Sequence, residues 1–165
     1  CQTGLRGIPF GNYLIKRVVG QLCSELPQLT CFATLSPVPG FARWLDEQHD
    51  AGAARPEDDD LRIQAARFLT QARSPSGNVR DSVARFHLGN GARLEAIHTR
   101  ADMSANGQRQ SHGVMVNYVY DLSEIEANHF ALNELGTVAA SKAVQALVDG
   151  EPAAAGTRKG RRAAA

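Results

Sequence analysis

The sequence has no apolar run approaching the roughly 18 to 20 residues that a membrane-crossing helix needs, so none of its 165 residues read as part of a bilayer span. It also lacks an excess of charge. Eighteen basic and 17 acidic side chains leave a formal net charge of +1, so no overall field directs the chain to nucleic acid or to a membrane surface. Any anion site must be local. The aromatic residues form no cluster alternating with basic ones, as a single-strand binding surface would require. Cysteine is scarce: Cys1, Cys23 and Cys31 are odd in number and lack metal-finger spacing. Reduced structural thiols in an intracellular, cytoplasmic compartment follow. The histidines outside the site proposed below, at 49, 98, 112 and 129, make no ligand spacing, and no metal is expected. His98 and Asp102, four residues apart, read as a solvated pair.

What is present fits one domain of ordinary composition. The chain opens on Cys1 and enters a glycine-containing loop, from which missing upstream sequence is expected, and any targeting peptide with it. From Asn12, a plausible cap, the apolar residues Leu14, Ile15, Val18, Val19, Leu22 and Cys23 form one helical stripe, which Pro27 stops. Residues 29–35 read as a buried strand running into the rigid turn Ser36-Pro37-Val38-Pro39-Gly40. A short helix over 41–48 precedes an acidic surface loop over 50–60, and Leu61, Ala65, Phe68, Leu69 and Ala72 restore the helical period. A break at 74–78 leads to a short helix over 81–88, closed by Gly89 and Gly91. Residues 114–120 have strand character, and a last helix is expected over 133–147, ending at Gly150-Glu151-Pro152. Residues 1–150 would form the domain, and the Ala, Gly, Lys and Arg-rich stretch 151–165 a disordered tail.

Three features could carry chemistry. Leu5-Arg6-Gly7-Ile8-Pro9-Phe10-Gly11 stands just before the first helix; glycines let backbone approach a ligand closely, and helix amides suit a phosphate. Ser36 is followed by two prolines that hold its turn rigid. His87 lies between Phe86 and Leu88, and an imidazole with an unperturbed pKa of about 6.5 can hold and deliver a proton. Each has a plain structural alternative: a tight connection, a turn serine, a packed core histidine.

Taken in order, 5–7 with 11–19, then Leu35-Ser36-Pro37-Val38-Pro39-Gly40-Phe41, then Ala84-Arg85-Phe86-His87-Leu88-Gly89-Asn90-Gly91-Ala92, then Met115-Val116-Asn117-Tyr118-Val119-Tyr120, the chain resembles the malonyl-CoA decarboxylase family. The resemblance implies an α+β catalytic domain related to the acetyltransferase (GNAT) fold, here without its upstream strands and without the N-terminal helical domain of intact members. It implies a catalytic serine at Ser36 and a catalytic histidine at His87. Leu5, Arg6, Gly7, Ile8, Pro9, Phe10 and Gly11 would contact coenzyme A, and Tyr120 would line the same site. Where family members usually carry Asn-Trp, this chain has His98-Thr99-Arg100, a difference expected along one wall of the site. The substrate would be malonyl-CoA, decarboxylated with no cofactor because its thioester holds the electrons left behind as an enolate. A homo-oligomer is left open. A CoA-dependent acyltransferase and a non-catalytic acyl-CoA-binding module are the competing readings.

Overall fold

The structure, a computed structural model, describes residues 10–48 and 57–150. Residues 5–9 of the expected coenzyme loop and the expected tail over 151–165 lie outside the described residues. Ten elements follow one another: α1 Phe10–Glu25, β1 Phe32–Pro37, α2 Phe41–Gln48, α3 Asp58–Gln71, α4 Ser82–Gly89, β2 Arg93–His98, α5 Ala105–Ser111, β3 Met115–Tyr120, α6 Ile125–Leu135 and α7 Lys142–Asp149. The α+β class holds.

The sheet is antiparallel, in the order β1-β3-β2. Phe32, Thr34 and Ser36 on β1 stand opposite Tyr120, Tyr118 and Val116 on β3, and Leu94 and Ile97 on β2 stand opposite Tyr118 and Val116. Because side chains alternate between the faces of a strand, this register puts Val116, Tyr118, Tyr120, Leu94, Ile97 and Ser36 on one covered face, and all six are buried. A register shift between Leu94 and Ala96 keeps both Leu94 and Ile97 inward. Over this face lie Phe41 and Leu45 of α2, Leu61, Phe68 and Leu69 of α3, Ala84 and Leu88 of α4 and Val144 of α7. Phe41, Trp44 and Phe68 pack with ring centroids 5.2 to 6.2 Å apart. On the other face Leu35 is 58% exposed.

Several boundaries differ from the sequence expectations, each for a local reason. Phe10 and Gly11 are the first residues of α1 rather than loop, so Asn12 is inside the helix and not its cap. The first strand begins later than expected and includes Pro37; β1 lies at the sheet edge, where a missing N–H costs no ladder bond. Asp58, Asp59 and Asp60 open α3 instead of closing a loop, since carboxylates are favoured by the positive end of a helix dipole. The range 133–147, expected as one helix, holds only the last three residues of α6, a break and most of α7, and the earlier part of α6, from Ile125, was not expected. Gly136, at φ 65°, ends α6, Ala140 bridges in parallel to Leu94, and the Ser141 side chain caps α7 by accepting from Val144 N–H. Gly150, at φ 77°, ends α7. The sequence reading contained neither β2 nor α5.

Candidate functional site

Ser36 is the fifth residue of β1 and 5% exposed. The chain then turns through Val38 to Gly40, with Phe41 N–H donating to the Val38 carbonyl at 3.1 Å. His87 lies in the last turn of α4, near the Asn90 cap. Tyr120 is the last residue of β3. These three residues, far apart in sequence, meet. Ser36 Oγ is 3.2 Å from His87 Nε2, and His87 Nδ1 is 2.7 Å from Tyr120 Oη. Thr34, two residues before Ser36 and therefore on the same face, places its Oγ1 3.0 Å from Ser36 Oγ. The result is a continuous hydrogen-bonded chain, Thr34–Ser36–His87–Tyr120.

The imidazole is held by rings. Tyr118 stacks on it at 4.5 Å and 18°, and Phe86 meets it edge-on at 5.1 Å. Burial pushes the His87 pKa from 6.5 down to about 4, because a charged imidazolium loses hydration there. The ring is therefore neutral near neutral pH, which the sequence alone could not tell. Burial likewise pushes the Tyr120 hydroxyl well above the ordinary phenol range, so it keeps its proton. Tyr118 is pushed the same way, by burial first and then by the negative charge of Asp81 and by Tyr120. Its hydroxyl is buried without a hydrogen-bond partner among the described residues.

Asp81, 2% exposed, ties α4, which carries His87, to the turn that follows Ser36. One carboxylate oxygen accepts from Val83 and Ala84 N–H at 2.9 Å, capping α4. The other accepts from Gly40 N–H at 3.1 Å, at the start of α2. A cap was legible before this helix; its second grip, on the turn after Ser36, was not.

Beside the chain an apolar groove of about 410 Å³ runs between α1 and β1. Leu14, Ile15, Val18 and Val19 form one wall and Cys31, Phe32 and Ala33 the other. Thr34 and Tyr120, the two ends of the hydrogen-bonded chain, line it as well. The arrangement can bind an extended, partly apolar ligand and present the Thr34 and Tyr120 hydroxyls to it, with Ser36 and His87 joined behind them. Among the described residues no three His, Cys, Asp or Glu side chains come together as metal ligands. Cys23 and Cys31 are free thiols, and no described helix is long and apolar enough to cross a membrane.

His98 is placed away from this site. It is exposed, and its Nε2 lies 2.5 Å from Asn117 Oδ1, on the sheet face opposite Val116 and Tyr118. The wall of the site described here is not formed by His98. Nor does His98 pair with Asp102, whose carboxylate accepts from Ser104 N–H instead.

A three-stranded α+β layer with a buried serine, a neutral histidine and a tyrosine in one hydrogen-bonded chain defines a candidate acyl-group enzyme site. The sequence matches the family model described as malonyl-CoA decarboxylase C-terminal domain over residues 1–60 and 54–158, and the chain belongs to that family. Malonyl-CoA decarboxylase, mitochondrial, of Mus musculus is 32% identical over 89% of the chain, and its counterpart from Anser anser anser is 30% identical over 90%. The chain spans 39% and 38% of those two proteins. Among solved structures, malonyl-CoA decarboxylase from Rhodopseudomonas palustris is 46% identical with a TM-score of 0.79, covering 88% of this chain and 39% of that one. The Agrobacterium vitis enzyme is 46% identical with a TM-score of 0.80, covering 90% and 43%.

Proposed function

We propose that this chain carries the reaction centre of a malonyl-CoA decarboxylase, converting malonyl-CoA to acetyl-CoA and carbon dioxide. The observation that carries the reading is the Ser36–His87–Tyr120 chain ending on an apolar groove. The groove suits the pantetheine arm and thioester of a coenzyme A ester, and Leu5 to Gly11, whose last two residues open α1, would meet its phosphates. The GNAT-like character of the catalytic layer is part of this proposal and follows from the family resemblance. Cytoplasm stays the proposed compartment; the names of the curated relatives point to mitochondria, and cell fractionation decides.

When the carboxylate leaves, the electron pair of the breaking carbon–carbon bond passes into the thioester as an enolate. The protein has to orient the carboxylate, stabilise the oxyanion and return a proton to carbon. Ser36 donates a hydrogen bond to the malonyl group. His87 Nε2–H supplies the proton to carbon while Nδ1 takes the proton of Tyr120; a solvent proton then returns to Nε2 as Nδ1 gives Tyr120 its proton back, which restores the Nε2–H tautomer. A thioester enolate is a far stronger base than a phenolate, so this relay runs downhill although the imidazole starts neutral.

Turnover of malonyl-CoA tests the reading. His87→Asn is expected to lower kcat by about 10² to 10⁴, the usual range for a general acid, with coenzyme A binding retained. Ser36→Ala should lower kcat too, and the double variant should be little worse than the poorer single one, because residues that act as a unit are not additive. Normal turnover by well-folded His87→Asn protein would remove the proposal.

A further inference from the structure

Ser36 Oγ has two protein partners, His87 Nε2 at 3.2 Å and Thr34 Oγ1 at 3.0 Å. A serine hydroxyl offers one proton and two acceptor lone pairs. The malonyl carboxylate and the thioester carbonyl are both acceptors, so Ser36 can bond to either only with its own proton. Both protein partners must then donate to it. We propose that Thr34 is a positioning residue of this site: its hydroxyl donates to Ser36 Oγ, occupies the lone pair that His87 leaves free, and so commits the Ser36 proton to the substrate.

The placement of Thr34 supports this. Thr34 is half-buried on the covered face of β1, opposite Tyr118, and its carbonyl accepts from Asn117 Nδ2 at 2.7 Å, which pins the strand locally. Its hydroxyl makes no other hydrogen bond among the described residues. A β-branched side chain has few χ1 choices, so the hydroxyl is held where Ser36 needs it. Thr34 also lines the groove, which brings the same residue to the entering acyl group. If Thr34 and His87 both donate to Ser36, His87 carries its proton on Nε2 and Nδ1 accepts from Tyr120. With both lone pairs engaged, Ser36 is a poor nucleophile, so an acyl-serine route is disfavoured.

The inference rests on the decarboxylase reading and deepens it. Its test compares Thr34→Val, which keeps the shape and strand preference but removes the hydroxyl, with Thr34→Ser, which keeps the hydroxyl. In Thr34→Val, kcat for malonyl-CoA should fall about tenfold, the scale of one hydrogen bond of roughly 1.4 kcal/mol, with KM changed less than about threefold. Thr34→Ser should recover most of that loss. Nitrogen-15 shifts of His87 in the parent protein should report the Nε2–H tautomer. Parental kcat in folded Thr34→Val, with Ser36→Ala impaired, would overturn the role of Thr34 and leave the decarboxylase reading standing. A loss confined to KM, an equal loss in Thr34→Ser, or an Nδ1–H tautomer would overturn it as well. Parental turnover in both Thr34→Val and Ser36→Ala would instead remove the decarboxylase reading of the site.

Discussion

At the scale of single residues, burial decides the charge of His87. A histidine that is neutral when folded and titrates near 4 differs from one that titrates near 6.5 in the unfolded chain. Between those values the unfolded chain binds a proton that the folded protein refuses, so stability is full above about pH 6.5 and is lost as pH falls towards 4. Thermal melts of His87→Gln should show a shallower decline across that window than the parent protein. Nuclear magnetic resonance titration of His87 should find its midpoint near 4, and kcat should stay flat from about pH 6 to 8 with no inflection from this ring. A midpoint near 6.5 would mean that the imidazole is hydrated and could act as an ordinary imidazolium acid. Ser36, His87 and Tyr120 were legible as site residues because whole blocks of sequence around them resemble a family. Thr34 was not. Its role depends on the strand register, which puts residues 34 and 36 on one face, and a single strand read alone gives no sign of which face is covered.

Asp81 is the joint at the scale of elements. Its carboxylate receives three backbone N–H groups from two elements that begin 41 residues apart. Asp81→Ala should therefore destabilise the protein more than Ser104→Ala, whose hydroxyl caps α5 through Gly107 N–H alone. A cap substitution typically costs about 1 kcal/mol and up to about 2, so Asp81→Ala is expected at or above the top of that range in a denaturant titration. Asp81→Asn should fall between, because its one amide oxygen can still cap α4 but its nitrogen cannot accept from Gly40. Equal costs for Asp81→Ala and Ser104→Ala would show that the grip on Gly40 contributes nothing. Gly91 is the other fixed point. At φ 80° a Cβ would stand 2.4 Å from the Ile125 carbonyl oxygen, so α4 and α6 approach through a position that admits no side chain. Elements with a strong apolar period, α2 and α3 among them, were readable. β2 was not, because Arg93, Glu95 and His98 interrupt its apolar residues and the register shift breaks alternation. Nor was α5, whose seven residues Ala105–Ser111 carry no large apolar side chain and rely on the Ser104 cap.

Across the whole molecule, packing is uneven in a way that bears on binding. The centre is the covered face of β3 with α3, where Tyr118, Val116, Phe68, Leu61 and Leu69 are fully enclosed. By contrast, α1 buries Val19, packs Ile15 partly, and leaves Leu14 58% and Val18 46% exposed. Local opening follows the scarcity of buried apolar contact, so α1 should open far more often than the sheet. Hydrogen exchange followed by mass spectrometry should find α1 amides exchanging well before those of α3 and β3. Because Leu14, Ile15, Val18 and Val19 form one wall of the groove, a ligand there would bury the side chains that α1 leaves exposed. A non-decarboxylating malonyl-CoA analogue should therefore slow exchange in α1 by about tenfold or more when added at roughly a hundred times its dissociation constant, since binding stabilises only the closed form. Exchange in α3 should change less. Unaltered exchange in α1 at saturating analogue would place the acyl-CoA somewhere other than the groove between α1 and β1.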